Sequence, residues 1–520
     1  MHEIVTLQFG QQANYIGTHY WNIQESYFTY GTEEESPVDH DVSFRPGIGA
    51  DGAETYTPRT LIYDLKGAFG TLRRENALYE LQQQENPAQQ NQWSGSTIPL
   101  ELPRIAPSSY QQALDEGTTP PVLTTDTVRF WSDYNHVYYH PRSIVQMNEY
   151  ELGSDLMPFE QWQKGEELFM NLDREYDLLD RDVRPFLEEC DQLQGIQIFS
   201  GIDDAWGGFT AKYLERLADE LGKGSRWVFG LQETQRVARD RQALQIANVA
   251  QSLHAIDSSA SMHIPLGSVP SKLPEYLAMD GSSRWFTSAL QAAGIESLTL
   301  PARLRSSQSA RATFDDQETT LNGDGKRRIA ASSISVKDPA QLAAPTTNGQ
   351  NDARMTNGQH HDEDFEEKEV KLDLELFPTL SLNVSSARRG NVRRGNTFSR
   401  LETLRGTWRA ANDVQNSNEQ ARNRFASSNG PRTSAHQTGL LFPLLSSYPT
   451  LFNFADRPQK LAVQASLSTS TAIADQIRSV EGVARRMVSI DEREALCDGL
   501  AAMADEYEEG YSSDDDSDED

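Results

Sequence analysis

The sequence predicts an α/β fold, because three stretches carry an apolar strand through a turn into a helix. The first is Met1–Phe28. Ile4, Val5 and Leu7 form its strand, Gly10 permits the bend, and Ile16, Tyr20 and Ile23 recur at helical spacing beside Trp21. In the second, the strand Leu193–Phe199 leads into a turn at Asp203 and Asp204, then a helix with Tyr213, Leu214 and Leu217 on its inner face. The third spans residues 226–304, with strands at Trp227–Leu231 and Met262–Leu266, helices at Ala243–Leu253 and Ser283–Ala293, and an apolar run at Ile295–Leu300. A strand feeding a helix through a glycine turn aims backbone N–H groups outward and can hold a phosphate. An ordinary βα unit makes the same pattern.

Composition narrows the function. The 520 residues suffice for two or three domains with substantial cores. A net charge of −30 excludes the nucleic-acid backbone as a main partner, since phosphate contacts need Lys and Arg. Two cysteines, Cys190 and Cys497, make neither a disulfide framework nor a metal site and fit a reducing compartment. No Lys or Arg precedes Arg45, so no cleavable presequence is expected. Gly439–Ala455 is too short and too broken by proline for a membrane span, and no transmembrane segment is expected.

Between the three stretches the text varies. Leu61, Ile62, Tyr63 and Leu65 form a buried-type strand that ends at Asp64-Leu65-Lys66-Gly67. Residues 81–120 read as loops, apart from an apolar run at Ile98–Leu102. Leu168, Leu172, Tyr176, Leu179, Val183 and Leu187 predict one amphipathic helix over residues 160–190. Residues 305–369 are polar and read as a disordered linker, and 370–504 as a smaller C-terminal α/β region with 388–435 partly disordered. Within it Leu372–Leu382 alternates as a strand, and Thr471–Val488 reads as a helix. An arginine cluster from Arg388 to Arg409, including Arg400 and Arg405, is expected to pair with the Asp362–Glu369 run or an acidic partner; nucleic-acid contact is the alternative. Residues 505–520 hold ten acidic side chains and read as a solvated tail.

Met1–Phe28 closely resembles the N-terminus of tubulins, where a strand of the type REIVHIQ leads into a GQCGNQIG loop. Gly10, Gln11, Asn14, Ile16, Gly17 and Trp21 stand at matching places; Gln12 and Ala13 replace the Cys and Gly. Residues 56–67 resemble the YVPRAILVDLEPG segment, but Lys66 stands where the family has a glutamate that works with bound magnesium. Lys66 is expected at the surface, with a stand-in for the metal's charge as the alternative. The aromatic text around Asn135 is weakly similar to a tubulin nucleotide loop. Leu193–Phe199 is similar to the LQGFQL strand that precedes GGGTGSG, the loop whose bare N–H groups wrap phosphates. Here Asp203-Asp204-Ala205-Trp206-Gly207-Gly208 follows, with Gly207 in place. One carboxylate ~4 Å from a phosphate would cost roughly 4 kcal/mol at an effective dielectric near 20, which weakens binding about a thousandfold. The simpler role of the two aspartates is a turn and helix cap. The family's catalytic Asn-x-Asp loop has only Asn322-Gly323-Asp324 as a counterpart, in text that reads as a turn.

The whole pattern resembles the Misato family, whose fungal members are implicated in mitochondrial distribution and inheritance of mitochondrial DNA. That resemblance implies a tubulin/FtsZ-like doubly wound parallel sheet, with tubulin-like segments at residues 1–115 and 116–304. It implies a non-enzymatic protein without a cofactor, in which Gly10, Gln11, Asp64, Lys66 and Gly207 are degenerate nucleotide-loop positions. Implied partners are proteins: tubulin, its folding machinery or mitochondrial outer-membrane proteins. The implied location is peripheral, on the outer face of mitochondria and in the cytoplasm. The alternative is a GTP-binding, filament-forming GTPase with a rewired site, in which Asp203 and Asp204 recruit magnesium.

Overall fold

The structure, a computed structural model, describes residues 3–29, 35–49, 52, 54–72, 105–343, 372–378, 396–408, 414–416, 418–419, 431–455, 457–488 and 490–508. In chain order the first strands are β1 (Glu3–Phe9), the antiparallel pair β2 (Phe44–Ile48) and β3 (Glu54–Pro58), β4 (Thr60–Lys66), β5 (Ile144–Glu151), β6 (Leu193–Gly201), β7 (Ser225–Gln232) and β8 (Met262–Gly267). Then come β9 (Ala331–Lys337), β10 (Leu374–Glu375), β11 (Thr397–Arg405), β12 (Arg432–Thr438), β13 (Phe442–Pro443) and β14 (Lys460–Ser470). The helices are α1 (Gln11–Glu25), α2 (Ser109–Asp115), α3 (Trp162–Tyr176), α4 (Arg184–Leu187), α5 (Ala205–Leu221), α6 (Arg239–Asp257), α7 (Arg284–Thr299), α8 (Phe314–Leu321), α9 (Pro339–Ala343), α10 (Ala472–Met487) and α11 (Ile490–Glu506).

The first sheet has the order β5-β4-β1-β6-β7-β8 with every pairing parallel. All seven residues of β1 are buried, as expected for a central parallel strand covered on both faces. Alternation sorts its side chains: Ile4 joins the core under α1 and α7, while Val5, Leu7 and Phe9 join the core under α3, α5 and α6. Helices on both faces make this the expected doubly wound sheet.

The second sheet, β10-β9-β14-β11-β12, lies across α7. Ala292 and Leu298 of α7 share one core with Ile334, Leu401, Val463 and Leu467 of that sheet. Every residue of α7 from Thr287 to Thr299 is buried, which is why it shows little amphipathic character. The C-terminal pair α10 and α11 returns to the first sheet's outer layer, where Ile477 and Leu500 pack with Leu253 of α6. Tyr507 fixes this return by hydrogen bonds of its hydroxyl to the Ile329 N–H and carbonyl, at 2.7 and 2.9 Å.

Several expectations are corrected. The single helix over 160–190 is two segments, because Asp177 adopts the left-handed conformation at φ 47° and closes α3; a π-turn at Leu179–Val183 then leads into α4. Within the linker expected to be disordered, residues 314–321 are α8 and 331–337 are β9; 344–369 lie outside the described residues. The 81–120 loop region contains α2, and Ile295–Leu300 continues from α7 into a 3-10 turn. Of the strand expected over Leu372–Leu382, residues 379–382 lie outside the described residues; within 372–378 the strand is Leu374–Glu375, and Leu372, Leu374 and Leu376 are all buried as the alternation implied. Arg405 is not free for an acidic run or partner but is buried against Glu296, and Arg400 pairs with Glu402 at 2.9 Å. Arg388, Arg389, Arg393, Arg394 and Arg409 lie outside the described residues, as does the tail beyond Glu508. Residues 505–508 close α11 rather than open the tail, and Asp505 and Glu508 pair with Arg478.

Candidate functional site

In an open α/β sheet the ligand crevice lies outside the carboxyl ends of the strands, where the strand order reverses. Here that place is beside β1, which has β4 on one side and β6 on the other. Gly10 ends β1 with φ +86°, a conformation glycine adopts without strain, and donates its N–H to the Tyr63 carbonyl at 3.0 Å. No side chain among the described residues caps α1. What approaches Gly10 is an indole: a Cβ there would lie 2.5 Å from Trp206 Nε1. Trp206 is 4% exposed and packs edge-on against Phe159 and Phe209, with ring centroids at 5.2 and 5.5 Å. Trp206 therefore occupies space beside the Gly10 turn.

Asp64, at the end of β4, is fully buried. It accepts hydrogen bonds from Gln11 Nε2 (2.5 Å), Asn14 Nδ2 (2.7 Å) and the Leu65 N–H (2.8 Å). Burial raises its pKa to about 7, against the lowering effect of those donors. Gln11 also donates to the Ala68 carbonyl, so Gln11 and Asp64 lash the first turn of α1 to the end of β4. Lys66 lies at the surface, with its ammonium 4.0 Å from Glu151 Oε2.

After β6 the two aspartates take backbone roles. Asp204 caps α5 by accepting from the Trp206 N–H at 2.9 Å, and Asp203 accepts from the Glu233 N–H at 2.7 Å. Burial raises both carboxyls, and for Asp203 the neighbouring Asp204 adds to it. Gly207 serves helix packing: a Cβ there would meet Ser252 Oγ of α6 at 2.2 Å. Gly208 and Gly165 similarly let α5 and α3 touch, with added Cβ atoms 2.0 Å from the Trp162 carbonyl and 1.6 Å from the Ala205 carbonyl. The structure thus gathers Gly10, Gln11 and Asp64 at one turn and gives Lys66 and Gly207 separate surroundings. Asn135 lies in the segment before β5, with its side chain on the Val137 carbonyl; the segment that follows β5 and brings Phe159 to Trp206 is residues 152–161. Asn322–Asp324 is a turn, with the Gly325 N–H on the Asn322 carbonyl at 2.9 Å.

Two features at this end of the sheet escaped the sequence reading. Arg284, at the start of α7, forms no ion pair among the described residues and borders a cavity of about 600 Å³ with Tyr15, Ser282, Ser283 and Thr287. Glu233, just past β7, accepts from Ser268 Oγ at 2.5 Å and the Gln235 N–H at 3.0 Å. Gln232-Glu233-Thr234 directly after a buried strand was the available signal. No group of three or more His, Cys, Asp or Glu side chains is placed to hold a metal among the described residues.

Comparison with known proteins agrees with this architecture. Residues 2–116 match the Misato Segment II tubulin-like domain and residues 120–304 match a tubulin domain. Protein DML1 of Phaeosphaeria nodorum is 47% identical with full coverage of both chains, and protein dml1 of Aspergillus niger is 44% identical, also over both full lengths. Protein dml1 of Schizosaccharomyces pombe is 32% identical over 63% of this chain and 70% of its own. Full-length identity to the DML1 proteins and the two tubulin-like matches together place this chain in the Misato family of tubulin-like proteins.

Proposed function

We propose that this chain is a non-enzymatic tubulin-like protein that serves the partitioning of mitochondria and the inheritance of mitochondrial DNA. It acts through its surfaces, on the outer face of mitochondria and in the cytoplasm, by contact with tubulin, its folding machinery or outer-membrane proteins. The observation that supports the non-enzymatic reading is Trp206, whose indole packs directly against the Gly10 turn. The mitochondrial role rests on membership of the family. No described helix is long and apolar enough to cross a membrane, which is compatible with peripheral attachment. Depletion of the protein in its own cells, followed by imaging of mitochondria and quantification of mitochondrial DNA through successive divisions, tests the role. Uneven partitioning and falling DNA content support it; normal distribution and content overturn it.

One observation favours a second reading, GTP binding at a rewired site. The start of α1, without a side-chain cap among the described residues, and Arg284, without a salt bridge among them, both stand at the carboxyl end of the sheet. A helix start and a guanidinium are both suited to a phosphate.

A further inference from the structure

We propose that a single hard cation binds in a small cavity between the ends of β6 and β7 and the first turns of α6, with polar side chains on one side and Ile246 and Val249 on the other. The cavity measures about 40 Å³, and Asp203, Gln232, Glu233, Gln242 and Gln245 line it. That is room for one ion with a water, or for a few waters. Two independent observations favour the ion. First, Gln232 is 3% exposed and its Oε1 has no hydrogen-bond partner among the described residues, so a buried acceptor borders the cavity unsatisfied. Second, the carboxylates of Asp203 and Glu233 both border the cavity, where they accept from the Glu233 N–H and Ser268 Oγ, and neither forms a salt bridge with a described Lys, Arg or His. Charge withdrawn from water is ordinarily paired or coordinated to a metal.

The donor set fixes the class of ion. Carboxylate and amide oxygens without Cys or His select alkali or alkaline-earth cations over zinc or copper. Only two carboxylates line the cavity, so neutral amide oxygens complete the shell. The site differs from the Gly10 crevice: it lies on the β7 side of Asp203 and needs no phosphate to complete it.

The test uses the full chain in choline chloride, to which KCl, NaCl, CaCl2 or MgCl2 is added at constant ionic strength. Thermal unfolding and calorimetric titration are the readouts. The expected result is a saturable rise in unfolding midpoint with one of these cations; saturation by potassium or sodium identifies an alkali site, by calcium or magnesium an alkaline-earth site. Gln232→Leu should weaken that ion about tenfold, the loss of roughly one contact. Asp203→Asn should abolish the response. Gln232→Leu also removes an unsatisfied acceptor, so it guards against misfolding of the aspartate variant. Equal effects of all four salts, or a response retained in both variants, would show a water-filled cavity and overturn the proposal.

Discussion

Two buried clusters of charge, one between the sheets and one at the carboxyl end of the first sheet, are built in opposite ways. Between the sheets, Glu296 of α7 is fully buried with Arg303 and Arg405. Arg405 bonds the Glu296 carboxylate, reaches Tyr27 Oη at 2.7 Å and donates to the Leu440 and Leu441 carbonyls at 3.0 Å. Arg303 donates to the Glu296 carbonyl at 2.7 Å. Burial alone would raise Glu296; the two guanidiniums outweigh it and hold the carboxyl below its ordinary value. At the carboxyl end, Asp64, Asp203 and Asp204 have only neutral donors as hydrogen-bond partners, and all three are raised. Compensated charge marks the place where the chain ties α1, α7 and β11 into one body. Carboxyls without a salt bridge among the described residues mark the carboxyl end of the first sheet, where Arg284 acts on Asp64 and Asp204 only from a distance and where this chain has set an indole.

The contrast can be broken most forcefully at Arg405. Arg405→Ala leaves the Glu296 carboxylate buried with one guanidinium fewer, and a loss of about 3–5 kcal/mol is expected in denaturant unfolding. A loss under about 1 kcal/mol would mean that the cluster is not holding the sheets together. Trp206→Ala should cost about 3 kcal/mol or more by cavity formation, read in the same experiment. A near-neutral effect would show that the indole does not fill the crevice.

A pH series sharpens the contrast through its sign. Asp64 has its folded pKa raised from 3.8 to about 7, so the native state holds the proton more tightly and stability from this group falls as pH rises between those values. Asp64→Asn should flatten that part of the profile of unfolding midpoint against pH; an unchanged slope would contradict the assignment. Glu296, held low, contributes in the other sense: its stabilisation is present above the ordinary carboxylate range and is lost only as acid protonates the pair. The smallest effect is expected at Lys66. Its contact with Glu151 is exposed, and Lys66→Ala should change stability by less than about 0.5 kcal/mol. A larger loss would give this lysine a part in the crevice.

How much of this was legible follows from the range of the interactions. Met1–Phe28 could be read because strand alternation, a glycine with positive φ and helical spacing are local signals, and β6 with its aspartate cap was legible for the same reason. The packing role of Gly207 was not legible: a glycine that lets two helices touch looks the same in sequence as one that admits a phosphate. β9 was missed because Ser332, Ser333 and Ser335 give it a polar composition, and its burial comes from pairing with β14 far along the chain. β5 is an edge strand with polar residues on its open side. Arg405 looked like part of a basic cluster because its partner, Glu296, is 109 residues away.

The most direct test of the account is calorimetric titration of the purified full chain with GTP, with and without magnesium, beside Trp206→Ala. With the indole over Gly10, no binding by the native chain is expected at high micromolar nucleotide. Magnesium-dependent, micromolar binding by the native chain would contradict the account and direct attention to Arg284 and the start of α1.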